Sequence, residues 1–211
     1  ADSMNKYITE LIGTFFLVLT IGCSVLAGGP HVNPPLAIGA VLMVMVFAGG
    51  HVSGAHYNPA VTVAVFLRGR CPAGDVVPYI ASQIVGATLA AGAVKYLTGG
   101  VEVPLLFPAA GPALVAEFLF TFALAYVVLN VATSKATSGN SYYGLAIGMT
   151  VMSGIFAMAT ISGGVFNPAV AVGICVLGLV PWSSFWIYLV ATFAGATAAA
   201  MTFKKLNPKD K

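Results

Sequence analysis

Ser53-Gly54-Ala55-His56-Tyr57-Asn58-Pro59-Ala60-Val61-Thr62 and Gly163-Gly164-Val165-Phe166-Asn167-Pro168-Ala169 decide the fold of this chain. Each contains Asn-Pro-Ala, at Asn58-Pro59-Ala60 and Asn167-Pro168-Ala169, and each triplet opens an apolar run that ends after about ten residues. The surroundings repeat as well: Leu36-Ala37-Ile38-Gly39 returns as Leu145-Ala146-Ile147-Gly148, and Ser53-Gly54 as Ser162-Gly163. Without gaps, residues 36–65 match 145–174 at 14 of 30 columns, which identifies an internal repeat rather than chance likeness of apolar sequence. Asn is a favoured N-cap, and Pro at the first helical position loses no hydrogen bond. Asn58–Leu67 and Asn167–Leu177 are therefore expected to be helices of about 15 Å, half the bilayer core.

Composition places these half-helices in a membrane. The chain is 59% hydrophobic and only 7% charged, against about 25% charged in soluble domains. Six further runs, near 6–27, 36–51, 76–97, 112–132, 142–160 and 182–203, approach the length of a spanning helix. The run Ile8–Ala27 is too long for a leader peptide and contains Glu10, so it reads as the first span. Ala1-Asp2-Ser3 reads as an addition ahead of Met4. The formal charge of +3 comes with no basic patch interleaved with aromatics, which argues against a nucleic-acid partner. Cys23, Cys71 and Cys175 are odd in number and widely spaced, so neither a disulfide framework nor a zinc site is expected.

With a cytoplasmic N-terminus and six crossings, Lys6, Arg68, Arg70, Lys135, Lys204, Lys205, Lys209 and Lys211 fall on the inner side, leaving Lys95 outside. Eight of nine cations obey the positive-inside rule, which puts both termini in the cytoplasm. Each repeat, approximately 4–103 and 111–211, carries three full spans. The odd number inverts the second copy, so that the half-helices enter from opposite faces and their Asn ends meet near the midplane. The whole chain, 1–211, then forms one transmembrane channel domain: an all-α membrane protein of six transmembrane helices and two re-entrant half-helices.

Two helix N-termini, each worth about half a positive charge, make a centre that repels cations and donates hydrogen bonds. The approaches, read as extended over Gly50–Tyr57 and Ala159–Phe166, supply backbone carbonyls. Nonhelical backbone at membrane depth belongs where it lines a cavity or is buried in protein. The pattern describes a path for small uncharged polar molecules. A second class, an ion-coupled transporter, also uses inverted repeats and broken helices, but needs ion-coordinating side chains near the midplane, for which only Glu10 and Glu117 qualify. No GxSxG, HExxH or paired catalytic carboxylates point to an enzyme. His51 and His56 have no third ligand at metal-binding spacing. No cofactor is implied.

These motifs resemble those of the aquaporin (major intrinsic protein) family over essentially the whole chain. The resemblance implies an aquaporin-like fold and a homotetramer in the cell membrane with one pore per chain, passing water and small neutral solutes. It implies that Glu10 and Glu117 brace the re-entrant loops, and that His51 and His56 line the cytoplasmic side of the pore. In water-selective members an arginine follows the second triplet, where this chain has Val170. By spacing, the other constriction positions are Ile38, Ile155 and Gly164. A constriction without charge or side-chain donor resembles that of the plant vacuolar members, which implies passage of ammonia or urea besides water, with hydrogen peroxide or glycerol as further candidates. Ala171 stands where the glycerol-conducting branch has an aspartate.

Overall fold

The structure, a computed structural model, describes residues 3–210; Ala1, Asp2 and Lys211 lie outside the described residues. Helices α1 (Ser3–Leu26), α2 (Pro34–Ser53), the short α3 (Pro59–Arg68) and α4 (Ala73–Leu97) make the first half. The second half is α5 (Ala110–Val128), α6 (Tyr143–Ser162), the short α7 (Pro168–Leu177) and α8 (Phe185–Leu206). Among the described residues six helices are long and apolar enough to cross a membrane, and α3 and α7 are the short apolar pair.

Local chemistry sets the boundaries. Asn33, Asn58 and Asn167 cap α2, α3 and α7, each accepting from backbone N–H groups of the first turn, with Pro directly after the cap. The four helices that flank or follow the re-entrant loops, α2, α3, α6 and α7, end on glycine in the left-handed conformation: Gly54, Gly69, Gly163 and Gly178. The end of α5 departs from regularity. It opens into a π turn over Leu129–Thr133, whose freed carbonyls at Asn130 and Val131 accept from the Thr137 hydroxyl at 2.5 Å and the Asn140 amide at 2.7 Å.

One correction concerns the loop approaches. Extended backbone is expected from Gly50 and from Ala159, but α2 continues to Ser53 and α6 likewise to Ser162. The nonhelical segments are only residues 54–57 and 163–166. The neighbouring Gly49 is small for packing rather than for bending: a side chain there would collide with the Tyr57 hydroxyl. Further differences are modest. Helices α1, α2 and α4 start at Ser3, Pro34 and Ala73, each a turn or less ahead of the apolar run, and α8 runs on to Leu206.

Polarity is distributed inside out. Glu10, Thr14, Gln83, Glu117, Thr121, Ser162 and Thr192 are fully buried, while Leu36, Phe156, Val190 and Met201 stand exposed on the outer faces of long helices. A water-soluble protein would aggregate through such faces, whereas lipid solvates them. Helices α1 and α4 pair within the first half, and α5 and α8 within the second. Gly86 receives the Leu11 carbonyl on α1, and at the repeat position a Cβ on Gly195 would lie 2.5 Å from the Phe118 carbonyl oxygen on α5. The halves join where α2 crosses α6. There a Cβ on Gly39 would sit 2.8 Å from the Gly148 carbonyl oxygen, so the repeated Leu-Ala-Ile-Gly becomes the central crossing. Each half-helix packs across the molecule, α3 on α8 and α7 on α4.

Candidate functional site: a central lumen between two half-helices

The N-termini of α3 and α7 meet through a reciprocal pair of hydrogen bonds. Asn58 Nδ2 donates to the carbonyl of Phe166 at 2.9 Å, and Asn167 Nδ2 donates to the carbonyl of Tyr57 at 2.8 Å. Each Asn Oδ1 is spent on its own helix, accepting from the Ala60 and Val61 N–H groups at 2.9 and 3.4 Å and from the Ala169 and Val170 N–H groups at the same distances. A carboxamide has two N–H bonds. One N–H of each Asn therefore remains, and both residues border the lumen.

A buried carboxylate holds each loop. Glu10 Oε1 accepts from the Ser53 hydroxyl (2.7 Å) and the His56 N–H (2.9 Å), and Oε2 from the Tyr57 N–H (2.7 Å) and Gln83 Nε2 (2.8 Å). Glu117 repeats the first three bonds, to the Ser162 hydroxyl (2.6 Å), the Val165 N–H (2.9 Å) and the Phe166 N–H (2.6 Å). Tyr79 and Tyr188 hydroxyls donate to the Ser53 and Ser162 carbonyls, both at 2.7 Å. Left-handed backbone at Gly54, Ala55 and Tyr57, and at Gly163, Gly164 and Phe166, turns successive N–H groups toward one acceptor. In a trans peptide the preceding carbonyl points the opposite way. The carbonyls of Ala55, His56, Gly164 and Val165 are thus directed away from the carboxylates.

The cavity these loops border has a volume of about 370 Å³. Ile38, Ile155, Gly164 and Val170, from α2, α6, the second loop and α7, all line it, and its wall is otherwise largely aliphatic. Gly164 lies against Ile155, whose Cα would be 3.1 Å from a Cβ on Gly164. A second, more polar cavity of about 730 Å³ lies on the side of the α5–α6 connection, lined by His51, Arg70, Ser134 and Asn140 among others. His56 borders both cavities and marks their junction. His51 touches only the second and is itself exposed.

Sequence reasoning missed several residues of this frame. Tyr79 and Tyr188 stand at the repeat offset, so the alignment that pairs the triplets also contains them. Gln83 carries only the signal of a lone amide in an apolar run. Arg68 reads in the sequence as the stop of α3 and a marker of the inner side. It is instead buried, its guanidinium over the Phe203 ring at 4.7 Å and bonded to Asp210 at 2.7 Å. Asp210 also accepts from the Ser134 hydroxyl at 2.9 Å and the Lys135 N–H at 3.0 Å, tying the C-terminal end of α3 to the α5–α6 connection. Burial pushes the Asp210 carboxyl up, but those N–H, hydroxyl and guanidinium donors together outweigh it and hold the group below the usual carboxylate range.

Known proteins resemble this chain in sequence and in fold. The family model described as major intrinsic protein matches residues 1–203. A protein named aquaporin NIP1-1 from Oryza sativa subsp. japonica is 39% identical over 219 residues, covering 99% of this chain and 76% of the relative. Glycerol uptake facilitator protein-like 6 from Lactiplantibacillus plantarum is 37% identical over 217 residues, covering 98% of this chain and all of the relative. Among solved structures, that of the aquaglyceroporin from Plasmodium falciparum superposes with a TM-score of 0.84 over 97% of both chains at 20% identity, a likeness of fold. Two Asn-capped half-helices meeting over a lumen, within six spanning helices and with these relatives, make the chain a member of the major intrinsic protein (aquaporin) family, whose members are membrane channels for water and small solutes.

Proposed function

We propose that this chain is a passive pore for water and small uncharged solutes, with urea and ammonia the characteristic ones and hydrogen peroxide and glycerol further candidates, and that it excludes protons and metal ions. The observation that carries the reading is the meeting of Asn58 and Asn167 over an aliphatic lumen. Their two remaining N–H groups and the two helix dipoles form a donor focus matched to the two lone pairs of one passing oxygen. An oxygen so engaged has no lone pair left to receive a proton from its neighbour, and a cation meets two positive ends. Ile38, Ile155, Gly164 and Val170 act as the outer constriction. Because they carry neither charge nor ring, they admit a solute broader than water.

Glu10 and Glu117 serve as braces: their oxygens are engaged by the loops, which leaves them poor candidates for ion coupling. The two halves, about 4–103 and 111–211, lie inverted to one another in a cell membrane with both termini cytoplasmic, His51 and His56 toward the inner mouth, and four copies forming a homotetramer. The test is stopped-flow light scattering of proteoliposomes under water, urea, ammonia and glycerol gradients, with a pH-sensitive dye inside. Water and urea permeability above that of bare lipid, insensitive to imposed ion gradients and without proton flux, is expected. Solute flux that requires an ion gradient would replace the channel with a coupled transporter.

A further inference from the structure

The internal repeat supplies a control for each residue of the site. Every bond that holds the first loop to Glu10 and Tyr79 has its twin at Glu117 and Tyr188, save one, the bond from Gln83. His56, Thr62 and Gln83 have no like residue in the second half: at the repeat offset stand Val165, Ala171 and Thr192. The second loop is built without them, so this fold does not require them to hold a re-entrant loop. They touch one another. Gln83 Nε2 lies 3.0 Å from Thr62 Oγ1, and His56 Nδ1 lies 3.1 Å from the same oxygen. Thr62 Oγ1 is also 3.1 Å from the Asn58 carbonyl.

Hydrogen-bond accounting fixes the protons. Gln83 must turn its amide nitrogen toward Glu10 and Thr62, since Glu10 Oε2 at 2.8 Å is an acceptor. Thr62 Oγ1 then receives from Gln83. The Asn58 carbonyl can only accept, so it takes the single hydroxyl proton. The remaining lone pair of Thr62 faces His56 Nδ1, which must carry its proton to satisfy all three contacts. The other ring nitrogen, Nε2, is left as a bare acceptor. It makes no hydrogen bond within the described residues, and His56 borders both cavities.

We infer that Gln83 and Thr62 are positioning residues that lock His56 in the Nδ1–H tautomer, so that the inner end of the lumen presents a fixed side-chain acceptor for solutes bearing N–H or O–H donors. The inference rests on the channel reading above. With no side-chain donor or acceptor at Ile38, Ile155, Gly164 or Val170, His56 Nε2 is where the pore engages such solutes most specifically. Ammonia and urea, with three and four N–H bonds, are the chemical class it suits.

The experiment has two arms. In protein labelled with ¹⁵N-histidine, His56 is assigned among the three histidines by comparison with His56→Val. Nε2 should resonate as an unprotonated imidazole nitrogen, and Thr62→Ala or Gln83→Thr, which install the second half's own residues, should shift it toward tautomer exchange. In proteoliposomes, His56→Val and Thr62→Ala should each lower urea permeability by about two- to tenfold, the scale of one hydrogen bond. The double variant should be no worse than His56→Val alone, because Thr62 acts through His56. A protonated Nε2 in the parent protein, a tautomer indifferent to both substitutions, or additive losses in the double variant would overturn the proposal. If the parent protein has no permeability above lipid, the channel reading fails instead, and the spectra still report the tautomer.

Discussion

Replacing Glu117 separates a brace from an ion carrier. Its carboxylate accepts three hydrogen bonds, two of them from the backbone N–H groups of Val165 and Phe166, in a site with no access to water. Glu117→Ala leaves those two N–H groups buried and unpaired, at about 1–3 kcal/mol each, so roughly 2–6 kcal/mol in all. Glu117→Gln is isosteric but has one acceptor oxygen and one donor nitrogen. If its oxygen keeps Ser162 and Val165, its NH₂ faces the Phe166 N–H, and one charge-assisted bond worth about 1.5–3 kcal/mol is lost. The expected order of stability is parent, then Gln, then Ala. At about 2–4 °C per kcal/mol for a chain of this size, the Ala variant should unfold roughly 10 °C below the parent. The temperature at which each detergent-purified protein loses its monodisperse size-exclusion peak measures this, with water permeability recorded on the same samples. Equal stability of Glu117→Gln and parent would refute the bracing argument, and if ion-dependent flux disappeared at the same time, a relay role would stand in its place.

Val170→Arg sets a charged, five-donor group in the aliphatic wall of the lumen, and the urea-to-water permeability ratio should fall about tenfold at equal incorporation, the cost of one misfit in a pocket; an unchanged ratio in a well-folded variant would move selectivity elsewhere. Val170→Cys should gain block by mercurials, whereas Gly164→Cys is a poor probe: the φ of 64° and an Ile155 Cα only 3.1 Å from where a Cβ would stand resist any side chain there. A Val170→Cys channel indifferent to mercury would place residue 170 off the path. Asp210 has a depressed folded pKa, so the stability it contributes is complete above its unfolded pKa of about 4 and is lost as pH falls through the lower folded value. A thermal-stability series from pH 8 to pH 3 should therefore be flat in this respect down to about pH 4, and Asp210→Asn should remove part of the loss below it; superimposable acid limbs would show that the Arg68–Asp210 contact contributes nothing.

What the sequence disclosed depended on how local the cause was. Asn58-Pro59 and Asn167-Pro168 announce their half-helices because an N-cap and a first-turn proline act within three residues. Glycines mislead where their reason is a packing partner beyond their own turn. The Gly49-Gly50 pair looks like a breaker in isolation, yet Gly49 makes room for Tyr57, and the helix ends only at Gly54, where the left-handed turn is needed. The bond from Arg68 to Asp210 spans 142 residues, and no pattern of periodicity or spacing connects them. The pairing of Tyr79 with Tyr188 was within reach, since each lies 26 residues after the serine whose carbonyl it binds.

The repeat also bears on where this pore can discriminate. Directly after Pro-Ala both halves carry valine, Val61 and Val170, and both line the lumen, as do the equivalent Ile38 and Ile147. Around its centre the path is thus nearly the same from either side. A molecule that enters from outside or inside meets equal aliphatic walls and equal Asn donors, and such a symmetrical stretch sorts solutes by width and charge alone. Chemical preference among neutral solutes of similar width must come from a residue without a counterpart. Among the side chains bordering both cavities, the one with a hydrogen-bonding ring opposite an aliphatic twin is His56, paired by the repeat with Val165. The variant Val165→His is then the complementary test. It gives the second half a ring without the supporting threonine and glutamine, since Ala171 and Thr192 stand in their places. Its tautomer should be unfixed, and urea permeability should not rise. A clear gain would mean that an imidazole at that depth suffices by itself, and that Thr62 and Gln83 are dispensable to it.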